Sequence, residues 1–173
     1  TEEELKQYFA IEIKSLAEEQ DISENECLKQ LKFSYDGYHF HPDGAGIYNP
    51  YSLLKSFYDK EFGAYWFETG TPTFLVRQLR AIKFNPHRFT DKTLYASASM
   101  LKDYSAENPD PTPLLYQTGY LTIADYDSVG REYTLTFPND EVKYGLLENL
   151  MPEYVSDCGS GSGIDIFTLR RYI

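Results

Sequence analysis

Residues 33–50, FSYDGYHFHPDGAGIYNP, hold two of the three histidines, His39 and His41, with Asp36 and Asp43 beside them. Imidazoles and carboxylates are the groups of acid–base catalysis and of zinc or iron ligation. At i and i+2 the two imidazoles share a face if the segment is a strand. No third ligand with sensible spacing is visible, and no positioned nucleophile or paired carboxylate accompanies them. His-Pro next to Asp-Gly is ordinary turn chemistry. The expectation is an aromatic-rich connector with neither a metal ligand set nor a catalytic residue. Its Asp36-Gly37 and Asp43-Gly44 turns would frame a short β-hairpin at 38–48, pairing Tyr38 to Phe40 with Ile47 and Tyr48.

Other chemistry leaves little trace. GxxxxGK[ST], GxSxG and HExxH do not occur, and Gly44-Ala-Gly46 is too little for a nucleotide loop. Cys27 and Cys158 are far apart and neither belongs to a CxxC pair. Both read as reduced thiols, with a single disulfide between them as the alternative.

The elements that would position these residues follow from periodicity and capping. Thr1 to Glu4 has capping-box spacing, and Leu5, Phe9, Ile13 and Leu16 continue at helical intervals to about Gln20. Ser23 to Glu26 repeats the signal and starts a helix to about Phe33. Asn49-Pro50 launches the next, with Leu53, Leu54, Phe57 and Tyr58 on its apolar face. Residues 64–67 read as an extended aromatic run. Thr69 to Pro72 is a turn and cap before a helix bearing Phe74, Leu75, Leu79 and Ile82, stopped by Asn85-Pro86. Met100 to Tyr104 is a further helical turn. Residues 105–113, with three prolines in five residues, form a linker by composition.

Beyond the linker, residues 114–118 form a short helix ended by Gly119. Strands over 120–126 and 131–137 flank an Asp127–Gly130 turn, and Asn139 caps a last helix through Val142, Leu146, Leu147 and Leu150. Helix, strand, turn, strand, helix is the outline of a winged-helix unit. Its wing, ADYDSVGREY, is acidic at the tip and would repel phosphate, which favours a protein-interaction or lid module over a DNA reader. Residues 158–163, CGSGSG, read as a flexible tether, natural or engineered. The fold class expected is therefore α+β, mainly helical. A helical lid-like subdomain would occupy 1–104 and a winged-helix-like subdomain 105–155, with the tether and the start of a truncated helix over 156–173.

A length of 173 residues suits one medium domain or two small ones sharing an interface. Sixteen tyrosines, each apolar with a polar tip, should lie largely half-buried. The net charge of −11 lacks the basic footprint of a nucleic-acid binder. It is uneven: residues 1–32 carry nine acids against four lysines, whereas Arg77, Arg80, Lys83, Arg88 and Lys92 face only Asp91. The plain reading of the basic segment is a solvated helix face. The alternative is a docking surface that turns Arg77 and Arg80 toward a nucleotide or other anion. No stretch approaches the roughly 18 apolar residues of a membrane span and no secretory h-region opens the chain, so a cytoplasmic location without a membrane partner is expected. Thr1 already caps a helix and is not an initiating Met, so the chain reads as part of something longer.

Several segments together resemble a known family. YDGYHF, IYNPYSLL, AYWFETGTPTFL, LLYQTGYLTIADYD and YTLTFPNDEV, in that order, resemble the later part of the predicted bacterial AAA-ATPase-like family, over residues 1 to about 154. The resemblance implies a P-loop ATPase core before these segments and a domain similar to the PD-(D/E)XK nuclease superfamily after them. The Walker elements belong to that core, so ATP and Mg would be its cofactors and this chain would hold none and catalyse nothing. Its partners would be the ATPase core and the nuclease-like domain of the same polypeptide. Its function would be to couple the nucleotide state of one to the other. A nucleic-acid-binding winged-helix module is the alternative.

Overall fold

The computed structural model describes residues 1–69, 73–89, 94–102 and 110–155. The fold is α+β and mainly helical, with a small antiparallel sheet. The tether, the truncated helix and Cys158 lie outside the described residues, as do Gly70 to Pro72, Asp91, Lys92 and most of the expected linker.

Four helices build a first core: α1 (Glu2–Tyr8), α2 (Ala10–Glu19), α3 (Glu24–Tyr35) and α4 (Pro50–Asp59). Local chemistry sets most of their starts. Thr1 and Glu4 form a reciprocal capping box, and the Ser23 hydroxyl accepts from the Glu26 N–H. Asn49 Oδ1 accepts from the Tyr51 and Ser52 N–H groups, with Pro50 at the first helical position. The single helix expected to Gln20 is instead two, divided at Phe9 (φ −122°). Hydrogen bonds still run from the Phe9 N–H to Leu5 and from the Ile13 N–H to Phe9, so the helix bends without parting. The Phe9 ring stacks on Phe57 of α4, and this tertiary contact accompanies the bend. Leu16, Cys27, Leu31 and Tyr35 are fully buried between these helices. Burial pushes the Cys27 thiol up to about 11, and it donates to the Ile13 carbonyl. The thiol is packing, not a nucleophile.

The Asn49 cap is expected to be worth about 1–2 kcal/mol, measured as the loss on Asn49→Ala in urea unfolding. Its Nδ2 also donates to the Ser52 hydroxyl in the buried interior. A loss under about 0.5 kcal/mol would show that the cap does not hold α4.

The second core runs from α5 (Thr73–Ala81) through β1 (Tyr95–Ser97), α6 (Ala98–Lys102), α7 (Thr112–Gln117), β2 (Thr122–Asp127) and β3 (Glu132–Thr136) to α8 (Asp140–Val155). Its sheet has the order β1-β3-β2, antiparallel throughout, with Tyr95 opposite Thr134 and Thr122 opposite Thr136. Tyr126 and Tyr133 are cross-strand partners with ring centroids 4.7 Å apart. Leu75, Leu79, Leu94 and Leu101 share this core with Leu115, Leu135 and Leu146. The boundary expected at 105 therefore falls inside the second core, and the change of core lies between Tyr65 and Leu75.

Three further local expectations are corrected. The hairpin at 38–48 reduces to one bridge between Tyr38 and Ile47. The run at 64–67 is not extended, for Trp66–Thr69 is a 3-10 turn. α5 ends before Asn85-Pro86, at a left-handed Lys83 whose N–H returns to Arg80. Among the described residues no helix is long and apolar enough to cross a membrane.

Candidate functional site at the seam between the cores

Segments from both cores meet around α8. α8 brings them together, packing against α5 of its own core, α3 of the first core and the 3-10 turn. Asn139 caps α8 by accepting from the Val142 N–H. In the first turn beyond the cap stands Glu141, 6% exposed. Its Oε1 accepts from the Trp66 N–H at 2.9 Å, and its Oε2 is buried as well. Burial raises the Glu141 pKa. The Trp66 N–H pulls the other way, followed by the Ser52 hydroxyl, the Tyr65 backbone and the Asn49 side chain. One carboxyl of the second core thus sits over the N-terminus of α4 and the turn at Trp66.

Further contacts lie at and beside the seam. The His39 N–H donates to the Thr122 hydroxyl at 2.7 Å, and that hydroxyl donates to the His39 carbonyl at 2.9 Å. Gly37 (φ +105°) lies so close to the β3–α8 corner that a Cβ would stand 1.9 Å from the Pro138 carbonyl oxygen. Gly145 faces the Phe67 ring in the same way, with an added Cβ 1.8 Å from that ring. Tyr38 and Trp66 pair at 6.0 Å, and Tyr35 exchanges two hydrogen bonds with the Gly63 backbone, each 3.0 Å.

Beside the seam opens a groove of about 650 Å³. Lys29, Lys32 and Phe33 of α3 form one side; Phe137 to Asp140 and Lys143 of the β3–α8 corner form the other. Asp36 and Asn139 border it and are each 8% exposed.

The residues singled out from the sequence are spread apart. Arg77 and Arg80 are exposed on α5, one turn from each other, and neither lines the groove. His39 is half-buried, its Nδ1 2.9 Å from the Gly44 carbonyl. His41 is exposed and accepts from the Asp43 N–H. Each imidazole closes its own turn, and they do not converge. Among the described residues no three His, Cys, Asp or Glu side chains gather where a metal ion could sit. Sequence reasoning passed over Glu141, which looks like an ordinary acid in a helix first turn. It also passed over the three lysines, which come from positions more than a hundred residues apart. A glutamate so near a capping Asn is a weak signal, and no local pattern links Lys29 to Lys143.

The chain is thus a mainly helical α+β protein with two cores joined by a buried polar seam. No family model matches it, and no solved structure does. A protein from Azotobacter chroococcum mcd 1, described as "Uncharacterized protein in vnfD 5'region", is 37% identical to it over 134 residues. That match covers 76% of this chain and 25% of the relative, so the chain spans about a quarter of the length of the curated relative it matches.

Proposed function

We propose that this chain is a non-catalytic regulatory module of a larger, AAA-like P-loop ATPase. It couples the nucleotide state of the ATPase core to a C-terminal nuclease-like domain. The seam carries this reading. Glu141 over Trp66, Thr122 with His39 and Gly37 under Pro138 tie the helical unit to the sheet unit at three separate points. A displacement of α1–α4 must therefore move the sheet as well. In the remaining three quarters of the relative's length there is room for a core and an effector.

The second unit is read as a winged helix. Its order α5, β1, α6, α7, β2, β3, closed by α8, and its sheet order β1-β3-β2 support that reading. The helix that would enter a DNA groove is α7, TPLLYQ, without a Lys or Arg, and the wing presents exposed Asp125 and Asp127. Attraction to the phosphate backbone comes chiefly from cations, so these elements favour a protein surface over nucleic acid. Arg77 and Arg80, beside the 61% exposed Phe74, are the residues assigned to face the core's nucleotide. ATP and Mg would reside in that core, in the cytoplasm, and this module would hold no cofactor of its own.

The reading frame upstream of Thr1 is expected to contain GxxxxGK[ST] after a strand pattern. Its absence removes the ATPase-module reading. In the full-length protein, replacing Arg77 and Arg80 together by Ala should lower ATP turnover at least about tenfold with the melting temperature unchanged. Unaltered turnover would take the arginines out of that role. Titration with a labelled duplex at low salt should give no salt-sensitive binding; a steep salt dependence would favour the nucleic-acid alternative.

A further inference from the structure

We propose that the groove between α3 and the β3–α8 corner binds a nucleoside monophosphate: a flat heteroaromatic base carrying a phosphomonoester. The inference stands on the groove alone and does not need the ATPase reading.

Its volume of about 650 Å³ lies within the range of small-molecule sites. Three ammonium groups border it, Lys29 and Lys32 from α3 and Lys143 from α8. Lys29 and Lys32 rest on Glu26 and Glu2, at 3.7 Å and 2.9 Å. Those ion pairs are exposed, and exposed pairs hold their partners weakly, so a doubly charged phosphate can draw the lysines across. Asp140 opposes it from the rim. The α8 N-terminus, sixteen residues of aligned peptide dipoles, adds favourable potential at the same side.

The apolar walls suit a ring. Phe89 and Phe137 lie 4.8 Å apart on one side, and Phe33, 70% exposed on α3, stands on the other. Two buried polar residues of the lining then select the ring's chemistry. Asp36 Oδ1, an acceptor, and Asn139 Nδ2, a donor, are each buried without a hydrogen-bond partner. Groups left in that state are costly, and a native fold generally supplies their partners. A base edge with an amino group next to a ring nitrogen offers one donor and one acceptor, the complement of this pair. Phosphate at the lysines, a ring between the phenylalanines and an amino-ring edge at Asp36 and Asn139 describe one molecule. Gly46, also in the lining, packs closely on Asp36, since a Cβ there would stand 2.8 Å from Asp36 Oδ1.

Calorimetric titration of the intact chain with AMP, CMP, GMP, UMP, inorganic phosphate and adenosine tests this. One equivalent of AMP or CMP is expected to bind more tightly than phosphate or adenosine alone. The double substitution Lys29→Gln/Lys32→Gln should weaken it at least about tenfold, with circular dichroism and melting temperature unchanged. Asp36→Asn, which replaces an acceptor by an amide, should lower the preference for amino-bearing bases over UMP. Three results would overturn the proposal. One is no heat with any nucleotide up to roughly 1 mM, as when a single water satisfies Asp36 and Asn139. Another is binding of inorganic phosphate as tight as that of AMP. The third is nucleotide binding that the lysine pair does not affect.

Discussion

Gly37→Ala is expected to be the most damaging single-methyl change in this chain, costing about 3–5 kcal/mol or preventing folding. Two independent penalties meet there. At φ +105° the backbone is in a region that side chains with a Cβ rarely adopt. The new Cβ would also stand 1.9 Å from the Pro138 carbonyl oxygen, and backbone cannot rotate away as a side chain does. Relief would require the connector after α3 to lift off the β3–α8 corner. That would undo the two-way bond between His39 and Thr122 two residues on. Urea unfolding of the variant measures the loss. A change under about 1 kcal/mol would mean that connector and corner do not approach as described. Gly44→Ala, in the same connector at an ordinary φ, is the control, with a contact of 3.2 Å to the His41 carbonyl that needs only a small shift.

Glu141 gives the second large effect, and pH is its signature. Glu141→Ala should cost about 2–4 kcal/mol, since it leaves the Trp66 N–H without its acceptor and opens space in the seam. Glu141→Gln keeps an acceptor oxygen and nearly the same volume while removing the charge. Burial raises the carboxyl's pKa in the folded state above its unfolded value of about 4.3. The folded state therefore holds the proton more tightly than the unfolded chain. The stabilisation from this group is complete below about pH 4.3 and is lost as pH rises through the higher folded value. The native protein should thus lose stability relative to Glu141→Gln as the pH climbs through that window, with no further relative loss above it. Urea midpoints for both proteins between about pH 4 and pH 8 report the difference. A difference that does not vary with pH would show a carboxyl in contact with water and a seam open at this point.

Helix starts were legible because capping is local chemistry. Thr1, Ser23, Asn49 and Asn139 each hold a backbone N–H two or three residues on, and no distant residue is needed. The strands after Gly119 were legible for a similar reason, as alternation about a tight turn. β1 was not. Three residues have no period of their own, and Tyr95–Ser97 is a strand only because β3 pairs with it and the Leu135 N–H donates to Leu94. Residues 64–67 look extended by composition, yet the Trp66 N–H is taken by a carboxylate 75 residues away. The break at Phe9 sits within an unbroken helical pattern and coincides with the ring of Phe57.

The candidate site shows the same division. His39 and His41 attracted notice as neighbours in sequence, and each merely closes its own turn. Lys29, Lys32 and Lys143 drew none, because their proximity exists only once α3 and α8 are packed. The amino-acid sequence by itself determined the class, mainly helical α+β, along with the caps and the acidic turn between β2 and β3. Period, capping and charge act within a few residues and need no partner. Only the tertiary structure decided where the two cores divide, that Glu141 is buried between them, and that a groove lies beside it. Those features depend on contacts between distant segments, whose register is set by packing in three dimensions rather than by any local preference.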